Sequence, residues 1–189
     1  MKNVNESVRG FVTSNLPKVT RNGESYYQTE RFIYRVLKIT VAMYHRLERI
    51  DQTARLLRDL MDFLLRRYHR YCIKEGFGAH YREVGVKFEK CDFEHVIPAA
   101  VARELMIYNR ISITQAMNIP TCMLSKRKHK ILNKTKLSKT TPDIEFFWKR
   151  YSEAIKVQIE THKGDPVDMD AWTLQDHYTY FSIDCQDKI

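Results

Sequence analysis

A carboxylate and an imidazole stand side by side at Glu94-His95, and Pro98 follows three residues after the histidine. These residue types suit phosphodiester hydrolysis assisted by one metal ion. That chemistry needs a neutral imidazole to take a proton from water. It needs a carboxylate to help hold a divalent ion on the scissile phosphate, and further ligands from a following element. Ser125–Asn133 reads as that element. His129 and Asn133 are four apart, so both lie on one face of a helix. Either both reach a metal, or one binds it while the other orients the adjoining loop. Ser125 is a capping residue, and a helix N-terminus favours anions. Strand neighbours point to opposite faces, so Glu94 and His95 share a site only where the strand ends or twists.

Glu94-His95-Val96-Ile97-Pro98 is followed by Thr121-Cys122-Met123-Leu124-Ser125-Lys126, by His129 and Leu132-Asn133, and by Pro142 with Trp148-Lys149-Arg150-Tyr151. This order resembles the HNH endonucleases, also called ββα-metal or His-Me finger nucleases, in a variant found among phage and bacterial proteins. The resemblance covers about residues 84–155. It implies that His95 is the general base, that Glu94 is the metal carboxylate, and that His129 fills the ligand position on the helix with Asn133 beside it. The asparagine of the family name has no aligned counterpart here, because Asn109 and Asn118 both lie in a helical insertion. The zinc-binding cysteine pairs of many members are absent, which leaves packing to support the fold. Mg²⁺ or Mn²⁺ suits a carboxylate site that also meets phosphate, and Zn²⁺ or Ni²⁺ would gain from a second histidine.

The charge balance agrees with a polyanionic partner. The 189 residues carry 32 Lys and Arg against 23 Asp and Glu, a formal charge of +9. Nucleic acid is favoured over a membrane surface, and DNA over RNA. Lys126, Arg127, Lys128, Lys130, Lys134, Lys136 and Lys139 fall in a run without an acid. Arg55, Arg58, Arg66, Arg67 and Arg70 form a second basic group, mostly off an apolar helical stripe. A binding protein without catalysis would need only these two surfaces and is the rival reading. Cys72, Cys91, Cys122 and Cys185 form no C-x-x-C pair, so a cysteine-rich zinc ribbon is not expected. Neither a signal peptide nor a membrane helix is expected. The location expected is the cytoplasm, that of the host if the chain is phage-encoded. Gly164–Asp170 holds three acids but not the calcium-loop pattern. His45, His69, His80, His162 and His177 have no matching neighbours and are read as structural or solvated.

An α+β fold, mainly helical, must position these groups. Residues 1–28 read as an irregular arm. Ile33, Val36, Leu37, Thr40, Tyr44 and Leu47 step by three or four and define a helix face. Asp51 caps a break, and Ala54, Leu57, Leu60, Met61, Leu64, Tyr68 and Tyr71 define a second helix ended by Gly76 and Gly78. Alternation at Val84, Val86 and Phe88 and again over Phe93–Ile97 predicts a β-hairpin joined at Glu89–Asp92. Pro98 opens a helix over Ala99–Tyr108. Ser112 caps a short helix through Met117, Thr121–Leu124 is a brief strand, and Thr141-Pro142-Asp143 opens a helix that buries Phe146, Phe147, Tyr151 and Ile155. Three parts follow: a basic helical region to residue 80, a nuclease-like core over 81–157, and an acidic extension over 158–189. Trp172, Tyr178, Tyr180 and Phe181 make that extension aromatic, so it either packs back on the body or serves as a contact arm.

Overall fold

The computed structural model describes residues 24–47, 52–71, 79–135 and 139–183. Seven α-helices and a four-stranded mixed sheet make an α+β architecture among them. The expected cap Asp51, the glycines 76 and 78, Lys136, Cys72, Cys185 and most of the N-terminal arm lie outside the described residues.

Helix α1 spans Glu24–Arg46 and α2 spans Gln52–Tyr71. α1 therefore begins within the stretch expected to be an arm. Ile33, Leu37 and Val41 recur every four residues and are fully buried, as helical spacing requires of one face. They meet Met61, Leu64, Leu65 and Tyr68 of α2 in a first core. α3 (Ala99–Ile107) and α4 (Ile113–Met117) close that core with Leu105, Met106, Ile113, Ala116 and Met117. Pro98 stands at the cap of α3 with φ −54°, already helical in φ, and loses no needed donor there. Ser112 caps α4 reciprocally: its hydroxyl accepts from the Gln115 amide at 3.1 Å, and the Gln115 side chain accepts from the Ser112 amide at 2.8 Å.

The strands are β1 (Tyr81–Glu83), β2 (Cys91–His95), β3 (Thr121–Ser125) and β4 (Ile159–Thr161), in the order β2-β3-β1-β4. The expected hairpin of 84–88 with 93–97 does not form. β2 pairs antiparallel with β3, with Glu94 opposite Cys122 and His95 opposite Thr121. β1 runs parallel to β3 and antiparallel to β4. The reason is local. Gly85 turns the chain just after β1 with φ +72°, a conformation that favours glycine, and Val84 and Phe88 are left exposed. Their alternation belongs to a solvated connection, not to a half-buried strand.

β3 runs directly into α5 (Lys126–Asn133), whose cap Ser125 accepts from the Lys128 amide. The helix expected from Thr141 starts only at Lys149, as α6 (Lys149–Ala154). Asp143 caps a turn by accepting from the Phe146 amide at 3.2 Å, but the Glu145 carbonyl is taken by the Leu174 amide at 2.9 Å. The Lys149 amide bonds the Phe146 carbonyl at 3.0 Å, so the regular helical ladder does not begin before α6. Phe147, Tyr151 and Ile155 are buried as expected, Phe146 only half so, and Trp148 joins them.

A second core lies under the sheet, built from Tyr81, Val96, Ile97, Leu124, Leu132, Phe147, Trp148 and Tyr151. The acidic extension packs back into it. Leu174 and Tyr178 of α7 (Leu174–Tyr180) belong to this core. His177 is buried beside them, donating through Nε2 to the Asn118 carbonyl at 2.8 Å and accepting at Nδ1 from the Tyr81 hydroxyl at 2.8 Å. Trp172 Nε1 donates to the same hydroxyl at 3.0 Å. Each buried polar atom of this chain of bonds is satisfied, which is what permits its burial.

Candidate active site

β2 alternates, so Asp92 and Glu94 project to one side and Phe93 and His95 to the other. α5 covers the first side. His129 reaches back from it, with Nδ1 3.2 Å from Asp92 Oδ2 and Nε2 3.0 Å from Glu94 Oε2. The Asn133 amide approaches the same Nε2 at 3.1 Å, one turn along the helix. An imidazole with a carboxylate on each nitrogen gains most as a cation. The hydrogen bond to Glu94, and then that to Asp92, holds the His129 pKa above its ordinary value.

The other oxygen of Glu94 faces a buried cation. Arg150 Nη2 lies 2.7 Å from Glu94 Oε1, and its side chain is 1% exposed. Arg150 Nη1 also donates to the carbonyls of His95 and Val96, at 2.6 and 3.0 Å. The guanidinium thus ties α6 to the end of β2, where the strand stops.

His95 turns towards α2. Its Nε2 is 3.0 Å from His69 Nδ1, and His69 Nε2 is 3.0 Å from the Ala116 carbonyl. His69 is fully buried. Burial pushes its pKa down to about 4 and pushes that of His95 well below the ordinary value. Both rings are therefore neutral at pH 7.

A cleft of about 330 Å³ opens here, lined by Glu94, His95, Asn133, Arg66, Lys139 and Arg150, with Pro98, Ala99 and Ala100. Because β2 ends at His95, the carboxylate and the imidazole border one cavity although they leave the strand on opposite sides. A neutral base, a carboxylate and three cations around one opening suit a phosphodiester: the cations attract it and the base meets water beside it.

The residues expected to form the site are thus brought together in part. Glu94, His129 and Asn133 are joined, and Glu94, Asn133 and His95 share the cleft wall. The His95 ring meets His69 instead of His129. Among the described residues no group of three or more His, Cys, Asp and Glu side chains is arranged to hold a metal ion. The pair Glu94–His129 nevertheless fits one. Adjacent ligands of an octahedral ion at ~2.1 Å stand about 3.0 Å apart, the separation seen between Nε2 and Oε2. The bridging proton would have to leave first.

Of the basic residues, Lys126, Arg127, Lys130 and Lys134 are exposed on α5 or at its end. Lys126 donates to the Glu89 carbonyl at 3.1 Å, and Lys128 donates to the Lys156 carbonyl. On α2, Arg55 and Arg70 are exposed, Arg67 is half-buried, and Arg58 is engaged by Glu104. Arg66 pairs with Asp62 at 2.9 Å and borders the cleft.

Three site residues escape sequence reasoning. Asp92 carries the only local signal, since two residues before Glu94 on a strand means the same face. Arg150 lies within the matched Trp148–Tyr151 segment, but nothing in its local pattern marks it as buried. His69 is 26 residues from His95 on a separate helix, and no spacing links them.

Comparison with protein-family models, with curated proteins and with solved structures finds no match to this chain. No described helix is long and apolar enough to cross a membrane.

Proposed function

We propose that this chain is a metal-dependent endonuclease of the HNH type, hydrolysing phosphodiester bonds with His95 as general base. The observation that carries the reading is the shared cleft: His95 and Glu94 border one cavity whose remaining charged wall is Arg66, Lys139 and Arg150. The succession β2, β3, α5 supports it, because an antiparallel strand pair running straight into a helix brings Glu94 against His129. Under this reading the pair β2–β3 and α5 form the ββα-metal element, with α3 and α4 inserted between its strands.

Glu94 and His129, with Asn133 beside them, would hold the divalent ion, Mg²⁺ or Mn²⁺ before Zn²⁺ or Ni²⁺. When bound, the ion supplies charge stabilisation of the departing oxygen. His95 takes a proton from water at the cleft wall. Arg66 and Lys139 draw the phosphate in, and Arg150 holds Glu94 in place. The exposed lysines of α5 extend the positive surface along the backbone of a nucleic acid, DNA before RNA. The test is a plasmid-nicking assay with Mg²⁺, Mn²⁺, Ni²⁺ and Zn²⁺ and an EDTA control. Metal-dependent nicking is expected, and its absence with every ion, on DNA and RNA alike, defeats the reading.

A second reading is favoured by one feature of the same site. Both oxygens of Glu94 are already engaged, by Arg150 and by His129. A closed carboxylate of this kind suits a nucleic-acid-binding protein that does not cut, in which the network is structural. Salt-sensitive binding without nicking is its expected outcome.

A further inference from the structure

We propose that His69 is a positioning residue for His95: it holds the His95 imidazole as the Nε2–H tautomer, so that Nδ1 is the atom that accepts a proton. The catalytic consequence rests on the nuclease reading above, whereas the tautomer does not. The assignment follows from one acceptor that has no choice. The Ala116 carbonyl can only accept, so the His69 Nε2 beside it at 3.0 Å carries a hydrogen. His69 is fully buried and no carboxylate bonds to its ring, so a second proton there would be an uncompensated buried charge. Its Nδ1 is then a lone pair. His95 Nε2 stands 3.0 Å from that lone pair and must be the donor. A neutral His95 with its hydrogen on Nε2 has its lone pair on Nδ1.

The placement of the two rings adds to this. Among the described residues His69 is the only hydrogen-bond partner of the His95 ring, and His95 borders the cleft. Arg66 borders the same cleft one helical turn before His69. One face of α2 therefore supplies both a cation for the phosphate and the acceptor that orients the base. The hydrogen bonds of the two rings to each other and to the Ala116 carbonyl involve neither Glu94 nor His129.

The experiment uses the full chain with ¹⁵N-labelled histidine. Ring nitrogen shifts at pH 7.5 are expected to show His95 protonated at Nε2 and bare at Nδ1. In His69→Phe the His95 ring is expected to lose that fixed tautomer. Its kcat for cleavage should fall by about 10²-fold or more with KM nearly unchanged. His69→Gln, whose amide can donate to the carbonyl and accept from His95, should recover part of the loss. A wild-type His95 protonated at Nδ1 overturns the proposal even if no variant folds. So does a His69→Phe protein with an unchanged His95 tautomer and kcat. If the wild-type chain cuts nothing, the nuclease reading fails and the ring shifts still decide the tautomer.

Discussion

Arg150 and Glu94 form an ion pair of 2.7 Å across the end of β2, with the arginine side chain almost wholly removed from solvent. The pair has a structural duty, because the same guanidinium also fixes the carbonyls of His95 and Val96. Removing one partner leaves the other charge buried and uncompensated, a loss of ~3–5 kcal/mol. Arg150→Met should therefore lower unfolding stability by about that amount in urea titrations. The double variant Glu94→Gln, Arg150→Met should regain a substantial part of it. Additive losses in the two single variants would show that the pair is not coupled.

His95→Ala should abolish metal-dependent nicking while leaving the chain folded and its nucleic-acid affinity close to that of the wild type. Its melting temperature should be lowered, because the buried His69 Nδ1 loses its donor. General-base contributions are ~10²–10⁴-fold. Full activity in this variant would remove His95 from the mechanism.

Acid should destabilise the protein from about pH 6.5 downward. His69 and His177 are fully buried, with pKa values pushed down by burial to about 4 and about 3. Below the ordinary histidine value of ~6.5 the unfolded chain binds protons that the folded chain refuses, so stability falls as pH falls, until the folded values are reached. His69 alone accounts for roughly 3 kcal/mol over that window. His129 acts in the opposite sense. Its pKa is raised, so its contribution is complete below the ordinary value and is lost as pH rises through the folded one. Thermal melts should show His129→Gln deficient at pH 6 and nearly equal to the wild type at pH 9. A deficit that grows with pH would contradict the Glu94–His129 pairing.

Replacing Lys126, Arg127, Lys128 and Lys130 together by Gln should weaken nucleic-acid binding across sequences. It should also flatten the dependence of log affinity on log salt, by roughly 0.9 for each duplex-DNA phosphate that these side chains no longer neutralise. Fluorescence anisotropy at several salt concentrations measures both. An unchanged slope would take this face of α5 out of the interface.

Deleting residues 165–189 should cause unfolding or aggregation. The deletion removes Leu174, His177 and Tyr178 from the second core and strips the partners from the Tyr81 hydroxyl and the Asn118 carbonyl. A cooperative melt of the truncated chain would show that α7 is dispensable.

Local pattern carried much of this fold. Helical spacing marked the buried faces of α1 and α2, and the side chains of Pro98, Ser112 and Ser125 marked the starts of α3, α4 and α5, because these signals act within one or two turns. The pairing of β2 was not legible. Alternation says that a segment is a strand with two faces, but the partner is chosen by burial, and Gly85 turned the nearer candidate away. The adjacency Glu94-His95 and the four-residue step from His129 to Asn133 likewise pointed to a site, since both are spacings along one element. What the tertiary structure alone decided is who meets these groups. Arg150 and His69 arrive from α6 and α2, brought by the packing of two hydrophobic cores, and a contact made by packing leaves no period in the chain that could announce it.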